Sequence, residues 1–204
     1  MPRKDTSTSI EAGLETSEVI IDILSEGAMW ADIPVIGTAL KLCRAADEVR
    51  QTIFAAKLAR FISNLNEATD RQKLAIRSRV EKSPQEAAKV GETLILVLEQ
   101  VTDMDKPAML ACLLLSYAEN VISHVELRRL CQAVNLSFVD DLRMFLEAND
   151  EDRSAPWMEA ICAAGLSRPA GGTTYDTDGE IFYDMTVLGM ALRRAHAHKS
   201  LLLI

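Results

Sequence analysis

Ile181-Phe182-Tyr183-Asp184-Met185-Thr186-Val187-Leu188-Gly189-Met190-Ala191-Leu192 is the stretch on which the reading of the fold turns. Its first three residues are β-branched or aromatic, the composition of a strand. Thr186 then offers a hydroxyl to the unpaired N–H groups of a following helical turn, so a last helix is expected over 187–198. Upstream, Gly171-Gly172 reads as a turn, Thr173-Thr174-Tyr175 as a strand, and Asp178-Gly179 as the tight connection back to Ile181. Asp-Gly suits a two-residue hairpin because both positions tolerate positive φ. One late β-hairpin is therefore expected, followed directly by a helix.

Everything before that hairpin reads as helix. Thr8-Ser9-Ile10-Glu11 has the form of a capping box and opens a first helix over 9–26. Gly27, Pro34 and Gly37 then mark a bend. Over 38–66 the apolar residues Ile53, Phe54, Leu58, Phe61, Ile62 and Leu65 share one helical face, with Lys57 and Arg60 on the other. Residues 66–82 are polar, helix or loop. Ser83-Pro84-Gln85-Glu86 combines an N-cap, a proline at the first helical position and a capping-box glutamate. Asp105-Lys106-Pro107 opens a helix whose run from Met109 to Tyr117 is almost wholly apolar, hence central. Ser123-His124-Val125-Glu126 is a further capping box. Ser137 is expected to cap a helix carrying Phe138, Leu142, Phe145 and Leu146. Residues 149–153 read as an acidic surface loop, Pro156 restarts a helix, and Gly165 suits its left-handed end.

Composition agrees with a helical chain. The 204 residues are 49% hydrophobic but only 5% aromatic, with a net charge of -8. An aliphatic, alanine-rich core favours helix over sheet. A chain of this size buries roughly 70% of its unfolded surface and needs no disulfide staples. Cys43, Cys112, Cys131 and Cys162 lie far apart inside apolar patterns and read as small buried hydrophobes. Residues 1–9 are polar, a disordered tail with no apolar signal segment, and no run of 18 apolar residues follows. The expected compartment is the cytoplasm.

The order of several helices, a helix ending at Gly165-Leu166, a Gly171-Gly172 turn, a hairpin and the Y-x-M-T-x-L-G phrase at 183–189 resembles the closing half of a winged-helix domain. The resemblance covers about residues 106–198. It implies that the hairpin is the wing and that Thr186 caps the helix after it. Asp32-Ile33-Pro34-Val35-Ile36-Gly37-Thr38 is similar to an I-P-x-x-G-T turn in small uncharacterised bacterial helical proteins, which carries no function with it. DNA-binding winged helices present Lys and Arg. Here the corresponding region has Asp140, Asp141, Glu147, Asp150, Glu151 and Asp152, and the wing has Asp176, Asp178, Glu180 and Asp184. Such a surface repels phosphate instead of releasing counterions from it.

No catalytic signature is present: no nucleophile elbow, no phosphate-binding loop, no dinucleotide fingerprint. His196-x-His198 has no cysteine or carboxylate cluster beside it and reads as a helix end. No catalytic residue, metal ligand or cofactor is assigned. Charge is unevenly spread, however. Basic residues prevail over 41–82, and Arg71, Lys73, Arg77, Arg79 and Lys82 crowd one segment, against a more acidic downstream half. The expected fold is mainly α: a helical part, 10–103, packed on a winged-helix-like part, 104–204, with one β-hairpin. The expected function is a non-enzymatic protein-binding or regulatory one, through Asp176, Asp178 and Glu180 or by self-association. Two alternatives remain open: nucleic-acid binding through the basic 41–82 region, and membrane perturbation through the apolar 19–43 segment, which Asp22, Glu26 and Asp32 disfavour.

Overall fold

The computed structural model describes residues 22–23, 30, 33–43, 49–148, 153–172 and 181–202. The chain divides into two compact units between Gln100 and Val101. The first contains α1 (Pro34–Cys43), α2 (Val49–Asn66), α3 (Asp70–Lys82) and α4 (Pro84–Gln100). The second contains α5 (Lys106–Ala118), α6 (His124–Leu136), α7 (Val139–Glu147), α8 (Pro156–Ala160), strands β1 (Ser167–Gly172) and β2 (Ile181–Met185), and α9 (Val187–Leu202). Helix dominates, with one small antiparallel sheet among the described residues.

In the first unit α4 is the hub, packed by α1, α2 and α3. Leu94 and Leu98 of α4 meet a core that includes Ile36 and Leu40 of α1 and Leu58, Phe61, Ile62 and Leu65 of α2, all essentially inaccessible. Trp30 is also buried, its indole N–H donating to Asn66 Oδ1 at 2.8 Å. The α2 stripe departs from the expected one at two positions. Ile53 is 52% exposed, whereas Lys57 is buried. Lys57 runs its aliphatic stem over the core and donates from Nζ to the Glu99 carbonyl at 3.0 Å. That carbonyl belongs to the last turn of α4, where the partial negative charge of the helix end attracts an ammonium.

The polar 66–82 segment is a helix with a complete capping box. Thr69 accepts from the Gln72 N–H at 3.3 Å, and Gln72 Oε1 accepts from the Thr69 N–H at 3.0 Å. Ser83 is not the plain N-cap expected. Its N–H donates to the Arg79 carbonyl at 3.0 Å, because Ser83 still ends α3, so the donor that a capping-box Glu86 needs is already used. Glu86 instead meets Arg79 at 3.7 Å.

In the second unit α5 is the central helix, buried from Leu110 to Ala118 and packed by α6 and α9. It ends on Asn120 at φ 64, with Val121 N–H donating to the Ser116 carbonyl and Asn120 N–H to that of Tyr117. This left-handed closure satisfies two terminal carbonyls at once. Gly165, at φ +74, ends the turn after α8 in the same way, with Leu166 N–H donating to Ile161 and Gly165 N–H to Cys162. Glycine suits the position because the conformation is costly for most residues with a Cβ, asparagine, as at Asn120, being the tolerated exception.

The hairpin begins earlier than expected. β1 starts at Ser167 and pairs through Ser167↔Met185, Arg168↔Asp184 and Pro169↔Tyr183, with a register shift between Pro169 and Gly171. Gly171 and Gly172 therefore belong to the strand, paired with Phe182 and Ile181, and are not the turn expected of them. A two-stranded ribbon has a free edge on each side, so it accepts the proline, the glycines and a bulge that a central strand would not. Thr173 to Tyr175 and the Asp178-Gly179 turn lie outside the described residues.

Thr186 joins the ribbon to α9. Its hydroxyl oxygen accepts from the Gly189 N–H at 3.0 Å and lies 2.7 Å from the Gly165 carbonyl oxygen, to which it donates. Its own N–H donates to Leu166 at 3.0 Å. Gly189 lets α9 approach that turn: a Cβ there would stand 2.3 Å from the Leu166 oxygen and 2.8 Å from Met185 Cγ. The phrase 183–189 is thus a strand-to-helix lock closed on residues 165–166. Arg193 of α9 then lies 4.9 Å above the Phe145 ring, and Phe145 meets Trp157 edge-on at 6.2 Å, tying α9, α7 and α8 together.

Candidate functional site

The basic cluster lies on α3, and the helix divides it. Arg71, Arg77 and Lys82 are exposed, whereas Lys73 and Arg79 are half-buried. Arg71, Leu74 and Arg77 follow at intervals of three and so share one side of the helix. Leu74, between the two arginines, is 63% exposed. Arg79 faces Glu86 across the tight α3–α4 corner. The five cations are therefore not one patch: three of them face solvent, and Arg79 is directed toward the neighbouring helix.

Asp176, Asp178 and Glu180 lie outside the described residues. The acidic residue that the structure does describe on the ribbon is Asp184, and its carboxylate is paired with Arg153, whose carbonyl also accepts from the Tyr183 N–H at 2.8 Å. Other acids of this unit are matched too. Asp105 is paired with Arg143, Glu126 with Arg194 at 3.1 Å, and Glu119 with His198 at 2.7 Å. Bonds from the Ser123 N–H and hydroxyl hold the Glu126 carboxyl below its ordinary range.

Among the described residues of this unit, the most exposed large apolar side chain was expected in its core. Ser137 does not cap α7; its hydroxyl donates back to the Ala133 carbonyl at 2.9 Å. The N-cap is Phe138, with extended φ -69 and ψ 145, so α7 starts one residue later than expected. The ring is thereby turned away from the stripe of Leu142 and Phe145 and is 79% exposed. Leu136, at the end of α6, is 62% exposed beside it. On the same outward side of α6 lie Val125, Arg129 and Gln132, with Arg128 adjacent, all exposed. Neither Arg128 nor Arg129 has an ion pair among the described residues. The apolar periodicity of α6 defines its inner face well, and the residues left over on the other side were the available signal.

An apolar recess between α5, α6, α7 and α9 is bordered by Cys112, Leu113, Val134, Leu142, Leu192 and His196, with a volume of about 20 Å³. That admits about one water and is far below the few hundred Å³ of a typical small-molecule site. Cys112 Sγ lies 3.5 Å from the Ala195 carbonyl, and Ser116 Oγ donates to the same oxygen at 3.1 Å. Cys131 is fully buried, and burial pushes its thiol up to about 12, so it is inert as a nucleophile. Among the described residues no group of three His, Cys, Asp or Glu side chains is placed to hold a metal ion. Of the 19–43 segment, Trp30, Ile33, Ile36, Ala39 and Leu40 are buried, and no described helix is long and apolar enough to cross a membrane.

Comparison with protein-family models, with curated proteins and with solved structures gives no match to this chain.

Proposed function

We propose that the chain is a non-enzymatic protein-binding or regulatory protein whose second unit is an acidic, winged-helix-like domain that contacts protein. The observation that carries this reading is the exposure of Phe138 and Leu136, at 79% and 62%, on the short corner between α6 and α7. Exposed aromatic side chains next to aliphatic ones are what protein interfaces bury at their centres. Charge supports the same partner class. Residues 101–204 hold 15 acidic and nine basic side chains, a net charge of -6, which disfavours a phosphate backbone as the ligand of this unit. The order of helices, ribbon, Thr186 lock and closing helix supports the winged-helix-like description.

Replacing Phe138 with a photoreactive phenylalanine analogue in the full chain, and irradiating cells of its source, tests the reading. Protein adducts at position 138, and far fewer at the exposed Leu96 of the first unit, are the expected result. Adducts to nucleic acid alone, or turnover of a nucleotide or ester by the purified chain, would overturn it.

A second reading is favoured by the exposed Arg71, Arg77 and Lys82 of α3: nucleic-acid binding by the first unit. It requires an affinity for a mixed-sequence duplex that falls steeply with salt and is lost in Arg77→Glu combined with Lys82→Glu. Binding that is insensitive to salt would count against it.

A further inference from the structure

We infer that a second copy of this chain docks on the corner between α6 and α7, in a two-fold contact centred on Phe138. The corner changes character along its length. Arg129 lies on the same side of α6 as Leu136 and about 10 Å before it, at 1.5 Å per residue. Arg128 adds a second exposed guanidinium at that end. Leu136 and Phe138 form the apolar middle. Asp140, whose side chain is 82% exposed, and Asp141 follow at once in the first turn of α7. The order along the chain through this corner is basic, apolar, acidic, with Asp141 half-buried.

A surface of that order is complementary to its own copy. A two-fold axis through the apolar middle sets the two arginines of each copy against the two aspartates of the other, and stacks Leu136 and Phe138 on their counterparts. The local charge balance points to the same occupant. Two arginines and two aspartates cancel at this corner, although the unit as a whole is net -6. Two copies of so acidic a unit repel one another over most of their surface, and the balanced, apolar corner is where that repulsion is absent. Arg143 leaves this arrangement intact: it is anchored to Asp105, and its 3.5 Å contact with Asp140 is solvent-exposed.

This inference rests on the protein-binding reading above and narrows it to one partner. Sedimentation velocity on the 204-residue chain across a hundredfold concentration range tests it, with circular dichroism confirming that each variant is folded. A concentration-dependent dimer is expected, weakened at least tenfold by Phe138→Ser. Arg128→Glu with Arg129→Glu is expected to give monomer, and so is Asp140→Arg with Asp141→Arg. Mixing those two charge variants is expected to restore a heterodimer, seen as co-sedimentation of one fluorescently labelled variant with the other. A wild-type chain that stays monomeric throughout, or variants that dimerise like the wild type, would overturn the inference. A monomeric wild type that still forms adducts with a different protein at position 138 overturns the self-contact alone and leaves the protein-binding reading standing.

Discussion

Lys57 and Lys106 sit in different units and do the same thing. Each is buried, and each donates from Nζ to the penultimate carbonyl of a helix far along the chain: Glu99 of α4 and Asn135 of α6, both at 3.0 Å. Burial pushes both ammoniums below the ordinary lysine value, with Glu99 and Asp103 partly opposing the shift. Replacement by Met keeps the volume and removes the bond, and is expected to cost about 1–2 kcal/mol in a urea titration at pH 7. The pH dependence follows from the direction of the shift. A lysine with a folded value below its unfolded one charges the folded state less readily, so the cost of burying charge is full below the folded value. That cost fades as the pH rises toward the unfolded value near 10.4, and the wild type gains on the Met variants across that window. An unchanged difference between pH 7 and pH 10 would contradict the assignment. Gly189 makes a second residue-scale prediction. Alanine is the better helix former by about 1 kcal/mol, but its Cβ would strike the Leu166 carbonyl, a backbone atom that cannot swing aside. Gly189→Ala is expected to lose about 2 kcal/mol net, read as a lower denaturation midpoint.

Helix ends explain which elements the sequence reveals. The Ser123 box on α6 is visible in the residues and closes in both directions, Ser123 accepting from Glu126 N–H at 3.2 Å and Glu126 from Ser123 N–H at 2.7 Å. Thr69 and Gln72 have the same spacing, and α3 was readable from them, but the helix has few buried residues and its weak apolar stripe masks the signal. Ser83 is the counterexample: its sequence context is that of a capping box, yet the preceding helix has already taken its N–H. Thr69→Ala and Ser123→Ala are each expected to cost about 1 kcal/mol, and Ser83→Ala clearly less. Equal losses at all three positions, measured by thermal denaturation, would refute this distinction. A single residue of register separates the expected from the observed α7, and it is the residue on which the proposed protein contact rests. Starting the helix at Val139 puts Phe138 outside, because the cap position has extended backbone and leaves the helical face.

On the scale of the molecule, each unit has its own hub and its own fully buried leucines. Leu58→Ala in the first and Leu130→Ala in the second are each expected to cost about 2–5 kcal/mol. Hydrogen exchange should then rise first within residues 49–100 for Leu58→Ala and within 106–198 for Leu130→Ala; uniform loss of protection in both variants would mean that the units unfold as one. The sequence by itself determined the helical character, the Ser123 capping box, the central α5, the left-handed Gly165 and the strand-to-helix lock at 183–189. Those features depend on residues within a few positions of one another, where backbone preference and capping chemistry are local. The tertiary structure decided the rest. It chose which cations face solvent, turned Lys57 and Lys106 inward to helix ends 42 and 29 residues away, set Asp105, Glu126 and Asp184 against arginines, and left Phe138 outside. Each of those outcomes depends on where a distant carbonyl, carboxylate or packed face comes to lie, and no spacing within a single element encodes that.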